Sequence, residues 1–188
     1  MIIFFHGFAS VGVSPKSDAL RAAFGDDQVI SPDLPTDPVA VIELITNLVH
    51  TAPKDKLIFV GTSLGGFYAN YCAQLFDVPC VIVNPSTRPS VTMNARLGIN
   101  HNMATGAEFE ITREDVAMFA YMEKFINGNS NGALVNLFLA EDDTVLDYRI
   151  AEHDIPFTKQ TFKFPDGGHR FESNWGSVIN CVKDVMAE

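Results

Sequence analysis

"IFVGTSLGGFYA", residues 58–69, passes from an apolar run into a serine set among glycines at 61, 65 and 66. Two readings compete for it. One is a tight turn. The other is a nucleophile held on a strained corner, because "GTSLG" (61–65) matches G-x-S-x-G with a strand-like run before it and helical spacing after it. In the second reading the glycines permit the cramped backbone that lifts the Ser63 hydroxyl above a sheet edge. The helix start just behind supplies unpaired N–H groups and the positive end of a dipole.

Outward from this corner, short β-branched and aromatic runs alternate with helical patterns. "IIFFH" (2–6), "QVISP" (28–32), "KLIFVG" (56–61), "CVIVN" (80–84), "LVNLFLA" (134–140) and "QTFKF" (160–164) read as strands. Several are apolar without alternation, as in a parallel sheet covered on both faces. Between them, Ser14 with Pro15 starts a helix that Gly25 ends, and Asp37 with Pro38 starts another. A stripe of Trp175, Val178, Ile179, Val182 and Val185 marks a last helix. The alternation predicts an α/β protein: a doubly wound, mostly parallel sheet of about six strands, with helices on both faces and right-handed crossovers. Residues 86–130 break the rhythm. They read as a loop-like stretch followed by a helix from Thr112 to Gly128, a lid-like insertion within a single domain spanning 1–188.

Composition narrows the class. The 188 residues are 47% hydrophobic and 19% charged, which suits a globular chain. A net charge of −10 argues against nucleic acid and anionic membranes as partners, and Asp55 interrupts the one basic pair, Lys54 and Lys56. No apolar run is long enough to span a membrane. "MIIFFHGF" lacks a basic leader and a cleavage site, so it reads as a core strand and the expected location is the cytoplasm. Cys72, Cys80 and Cys181 sit in apolar contexts without metal-ligand spacing and read as buried free thiols. Self-association into a homo-oligomer is left open.

A serine nucleophile needs a base, and in this fold order the base follows the last strand. His169 stands there in "FPDGGHRFES"; His50, His101 and His153 read as helix-end, insertion and polar-turn residues. The imidazole needs an orienting carboxylate after the penultimate strand. "LFLAEDDTVLDY" offers four acids; Asp143 is favoured, with Asp142 as the alternative. An oxyanion needs two amide donors, one from Leu64, directly after the serine, and one from Phe8 in the "HGF" loop after the first strand. His6 reads as a brace for that loop. Arg88 in "NPSTRP" reaches a substrate pocket or braces its own loop. Met93, Leu97, Met103, Phe119 and Met122 are candidates for an acyl pocket, some of them as packing.

"MIIFFHGFAS", "GTSLGGFYA", "VNPSTRP", "DDTVLDY" and "FPDGGHRFES" together resemble the small bacterial YqiA/YcfP-type esterases of the α/β-hydrolase superfamily, over nearly the whole chain. The resemblance implies a compact esterase acting on short acyl esters, with Ser63, Asp143 and His169 as its triad and no cofactor. Thioester or amide cleavage on the same triad, and a non-catalytic ligand-binding role, are the competing expectations.

Overall fold

The computed structural model describes residues 1–52 and 57–188. The basic pair at 54 and 56, and the first residue of the expected "KLIFVG" strand, lie outside the described residues. Six strands form one sheet: β1 (Ile2–Phe5), β2 (Val29–Ile30), β3 (Ile58–Thr62), β4 (Cys80–Val83), β7 (Val135–Ala140) and β8 (Gln160–Phe164). Their order is β2-β1-β3-β4-β7-β8, and every neighbouring pair is parallel.

The unbroken apolar runs of the strands serve two cores at once, because successive side chains point to opposite faces. On β1, Ile3 and Phe5 join one cluster while Ile2 and Phe4 join the other. Ile82 and Leu137 fall on the first side, and Val81, Val83 and Phe138 on the second. Helices α2 (Pro38–Thr51), α3 (Leu64–Phe76) and α5 (Arg113–Asn129) cover the first face; α1 (Pro15–Phe24) and α7 (Trp175–Met186) cover the second. The expected starts hold in detail. Ser14 caps α1 with Pro15 in its first turn, Asp37 accepts from the Val39 amide ahead of α2, and Thr112 shares a capping box with Asp115 at α5. Each such cap stabilises by about 1 kcal/mol.

The chain leaves β1 toward β2 on one side, then crosses back to β3 on the other. This reversal opens a crevice between the loops that follow β1 and β3, where open parallel sheets take their ligands. Those loops carry Gly7 with Phe8 and Ser63 with Leu64.

Segment 86–130 is more ordered than its composition suggests. It holds a short helix, α4 (Pro89–Asn94), and an antiparallel hairpin of β5 (Gly98–His101) and β6 (Glu108–Ile111) ahead of α5. The hairpin corrects the loop reading of this stretch. Helix α5 also runs past Gly128 to Asn129, and His153 belongs to a further short helix, α6 (Tyr148–Asp154), rather than to a turn. Cys72, Cys80 and Cys181 are buried and free, and burial raises the pKa of each thiol. Among the described residues no helix is long and apolar enough to cross a membrane.

Candidate active site

The corner after β3 is sterically forced. Ser63 has φ 55° and ψ −124°, a conformation that a residue with a side chain adopts only when its surroundings impose it. Its amide donates to the Val83 carbonyl, and its own carbonyl accepts from the Ser86 amide. The flanking glycines are required by close approach. A Cβ at Gly61 would lie 2.2 Å from the Gly65 carbonyl oxygen, and one at Gly65 would lie 2.2 Å from that of Phe5. Residue 65 is therefore the point where α3 meets β1, and Gly66 packs against Pro85.

Ser63 Oγ lies 3.0 Å from His169 Nε2, and His169 Nδ1 lies 2.8 Å from Asp143 Oδ2. The Asp143 side chain is fully buried, so Nδ1 carries the proton and donates it to the carboxylate, leaving the Nε2 lone pair to accept from the serine hydroxyl. The other oxygen of Asp143 accepts from the amides of Val145 and Leu146 at 2.8 and 3.0 Å. Burial pushes this carboxyl's pKa up, but the His169 bond and the two amides outweigh it, and the net pKa is below the ordinary aspartate value.

Asp142 faces the other way. It is exposed, and its Oδ1 accepts from the Gly168 amide at 2.7 Å. The adjacent acids thus divide the work: one meets the imidazole, the other holds the loop that carries it. Gly167 and Gly168 give that loop its left-handed turns, with φ of 130° and 56°.

Asn84 was missed from the sequence, although the run containing it stood out. It is 3% exposed, at the end of β4, with φ 41°. Its Nδ2 donates to the Gly168 carbonyl at 2.9 Å and the His169 carbonyl at 3.3 Å, and its Oδ1 accepts from the Ala140 amide at 2.8 Å. One side chain therefore ties the histidine loop to the ends of β4 and β7. The signal available was an asparagine at a strand's carboxyl end, a residue type that tolerates the left-handed region.

Across the crevice, His6 is buried with both ring nitrogens engaged. The Leu34 amide donates to Nε2 at 2.9 Å, which makes Nε2 the acceptor and sends the ring proton from Nδ1 to the Gly7 carbonyl at 2.8 Å. Burial lowers the pKa of this imidazole and keeps it neutral. Gly12 adds a second tie, its amide donating to Asp33 at 2.7 Å. The hairpin holds the same loop from above: the Met103 amide and the Asn102 side chain donate to the carbonyls of Ala9 and Ser10, each at 2.8 Å. Phe109 packs edge-on against Phe8. Among the described residues the amides of Phe8 and Leu64 donate to no acceptor, and both residues line a solvent-open cavity. Its remaining wall comes mainly from the 34–36 turn, α3, the hairpin and α5.

Of the five expected acyl-pocket residues, Met93 and Phe119 line this cavity. Met122 is buried in the core beside it, and Leu97 and Met103 are exposed. Arg88 is not among the lining residues. Its guanidinium grips Asp154 at 2.6 and 2.8 Å and braces the 85–88 turn against α6, the second of the two roles open to it. Arg88, His153 and Thr87 together overcome the burial of Asp154 and lower its pKa to about 2. His50 is exposed near the end of α2, and His101 pairs with Glu108 across the hairpin.

A model of an uncharacterised protein family, UPF0227, matches residues 1–181. A UPF0227 protein of Pectobacterium atrosepticum is 28% identical over 102 residues, covering 52% of this chain and 57% of that protein. The chain therefore spans little more than half the length of the curated relative it matches. Among solved structures, the monoacylglycerol lipase of Paleococcus ferrophilus superposes with a TM-score of 0.74 at 11% identity, over 97% of this chain and 93% of the lipase. Est1E from Butyrivibrio proteoclasticus superposes with a TM-score of 0.72 at 15% identity, over 99% of this chain and 86% of Est1E. The chain has the α/β-hydrolase fold.

Proposed function

We propose, for a chain that belongs to the UPF0227 family, that it is a serine hydrolase cleaving small or short-acyl carboxylic esters. One observation carries this reading: a strained serine whose hydroxyl meets a histidine at 3.0 Å while a buried aspartate meets the other face of that ring at 2.8 Å. A ligand-binding protein has no use for such a relay. The names of the lipase and of similar hydrolases add support for ester chemistry.

In this reading Ser63 Oγ attacks the acyl carbonyl while His169 Nε2 takes its proton. Asp143 fixes the tautomer and stabilises the imidazolium. The carbonyl oxygen becomes an oxyanion that accepts from the amides of Phe8 and Leu64. Collapse of the tetrahedral intermediate breaks the bond to the alkoxy oxygen, which leaves as the alcohol with the proton from Nε2. Water, deprotonated by the same nitrogen, then attacks the acyl-serine. The carboxylic acid departs as Ser63 Oγ recovers its proton. Residues 86–130 act as a lid, fixed to the Phe8 loop by the hairpin contacts.

Labelling with a fluorophosphonate and turnover of p-nitrophenyl esters of increasing chain length test the proposal. The label is expected on Ser63, and Ser63→Ala is expected to lose roughly four to six orders of magnitude in turnover. Unchanged ester turnover in Ser63→Ala overturns it.

A further inference from the structure

The hydrolysis scheme leaves one polar group on the cavity wall, the Tyr68 hydroxyl, without a task. Tyr68 stands one turn beyond Leu64 on the same face of α3, and both line the cavity. It is 3% exposed, and its ring packs against Phe67 and Phe119. Its hydroxyl makes no hydrogen bond with any described residue. The hydroxyl is not one of the sealed, unpaired polar atoms among the described residues, which are Asn136 Oδ1 and Trp175 Nε1, so on a residue of the cavity wall it is open to a ligand group.

Two other polar side chains on the cavity wall are spent. His6 uses both nitrogens, and Asn102 gives its Nδ2 to Ser10 and its Oδ1 to the amides of Ala104 and Thr105. Ser10 and Thr36 stand where solvent reaches them. None of the described lining residues is an acid, a lysine or an arginine, and Phe8, Met93, Phe109 and Ile111 make much of the wall apolar. Burial, then the nearby carboxylates of Asp115 and Asp37, raise the Tyr68 pKa well above its ordinary value. The phenol therefore stays neutral, in a field that disfavours an anionic ligand group.

We propose that the cavity takes an apolar acyl group bearing an uncharged hydroxyl, and that Tyr68 selects this substrate by hydrogen bonding to that hydroxyl. The inference rests on the ester-hydrolase reading, in which the cavity beside Phe8 and Leu64 holds the acyl half of the ester. Tyr68 is a specificity residue in this scheme and takes no part in bond breaking.

The test compares p-nitrophenyl esters in matched pairs: phenylpropanoate with para-hydroxyphenylpropanoate, and hexanoate with omega-hydroxyhexanoate. The wild-type protein is expected to favour the hydroxylated member of at least one pair by about tenfold in kcat/KM. In Tyr68→Phe that ratio is expected to fall to near one. Equal rates within both pairs, or a preference that survives in Tyr68→Phe, overturns the role of Tyr68. If Ser63 is still labelled, the hydrolase reading stands without it. If neither labelling nor turnover is seen, the hydrolase reading fails and binding decides the matter. Phenylpropanamide and para-hydroxyphenylpropanamide are then titrated against the protein. A tenfold tighter Kd for the hydroxylated amide, lost in Tyr68→Phe, supports the hydroxyl-recognising cavity, and equal Kd values overturn it.

Discussion

The corner around Ser63 and the hairpin over the cavity are both tight pieces of backbone, yet they are built on opposite principles. At the corner, strain and close approach are imposed locally: Ser63 is left-handed, and neither Gly61 nor Gly65 has room for a Cβ. In the hairpin, Gly98 and Gly106 have positive φ but nothing within 4 Å of a would-be Cβ. The corner is held by its own sequence against the neighbouring strands. The hairpin is held by what it touches, namely Ala9, Ser10 and the ring of Phe8. The lesson is that the proposed nucleophile sits on the forced piece, while the shape of the cavity rests on the docked one.

The sharpest way to break this contrast is through the acids beside the corner. Asp143→Asn removes the negative acceptor from His169 and is expected to lower kcat by about 10⁴. Asp142→Asn removes only the charge from a loop tie and is expected to leave most of the activity. Steady-state kinetics on one ester separates them, and comparable losses in the two variants would place the acid wrongly.

The glycines come next. Gly65→Ala drives a Cβ into the Phe5 backbone and is expected to cost at least about 3 kcal/mol in unfolding free energy, or to prevent folding. Gly106→Ala pays only the left-handed penalty, about 1 kcal/mol. Denaturant unfolding of both variants measures the difference, and equal losses would remove the distinction between forced corner and docked hairpin.

Phe109→Ala loosens the hairpin from Phe8 and strips one ring from the cavity wall. It is expected to raise KM for an apolar ester by about tenfold, with a smaller change in kcat. A fall in kcat with KM unchanged would show instead that the hairpin governs the donor loop rather than the cavity.

The smallest effect is a pH slope. Burial lowers the pKa of His6 in the folded protein, whereas the unfolded chain titrates near 6.5. As pH falls through that value the unfolded state binds a proton that the folded state refuses, so stability falls with it. His6→Gln is expected to be less stable at pH 7.5 yet to show a flatter loss between pH 7.5 and 5.5, read from urea midpoints. An unchanged slope would mean that His6 titrates freely and does not brace the Phe8 loop as a neutral ring.

The chain by itself determined the parallel sheet, the helix starts and the residues that meet at the sheet's carboxyl edge. These rest on short-range rules. Apolar runs report burial on both faces, Ser14 and Thr112 report caps, and G-x-S-x-G after a strand reports a corner that few other sequences can make. Asp142 and Asp143 were both candidates, because adjacent residues on a turn differ only in direction. Tertiary structure separated them by burying one side chain fully under the imidazole and leaving the other exposed. The hairpin was hidden for a related reason. "EFEI" alternates as a half-buried strand should, but its partner "GINH" turns Ile99, which is 62% exposed, to solvent and Asn100 inward. That reversal makes sense only once β6 lies beside it and the Phe8 loop lies below. The same holds for Asn84, His6 and Tyr68. Each is an ordinary residue in the chain, and its role depends on which carbonyls, amides and empty space the fold brings to it.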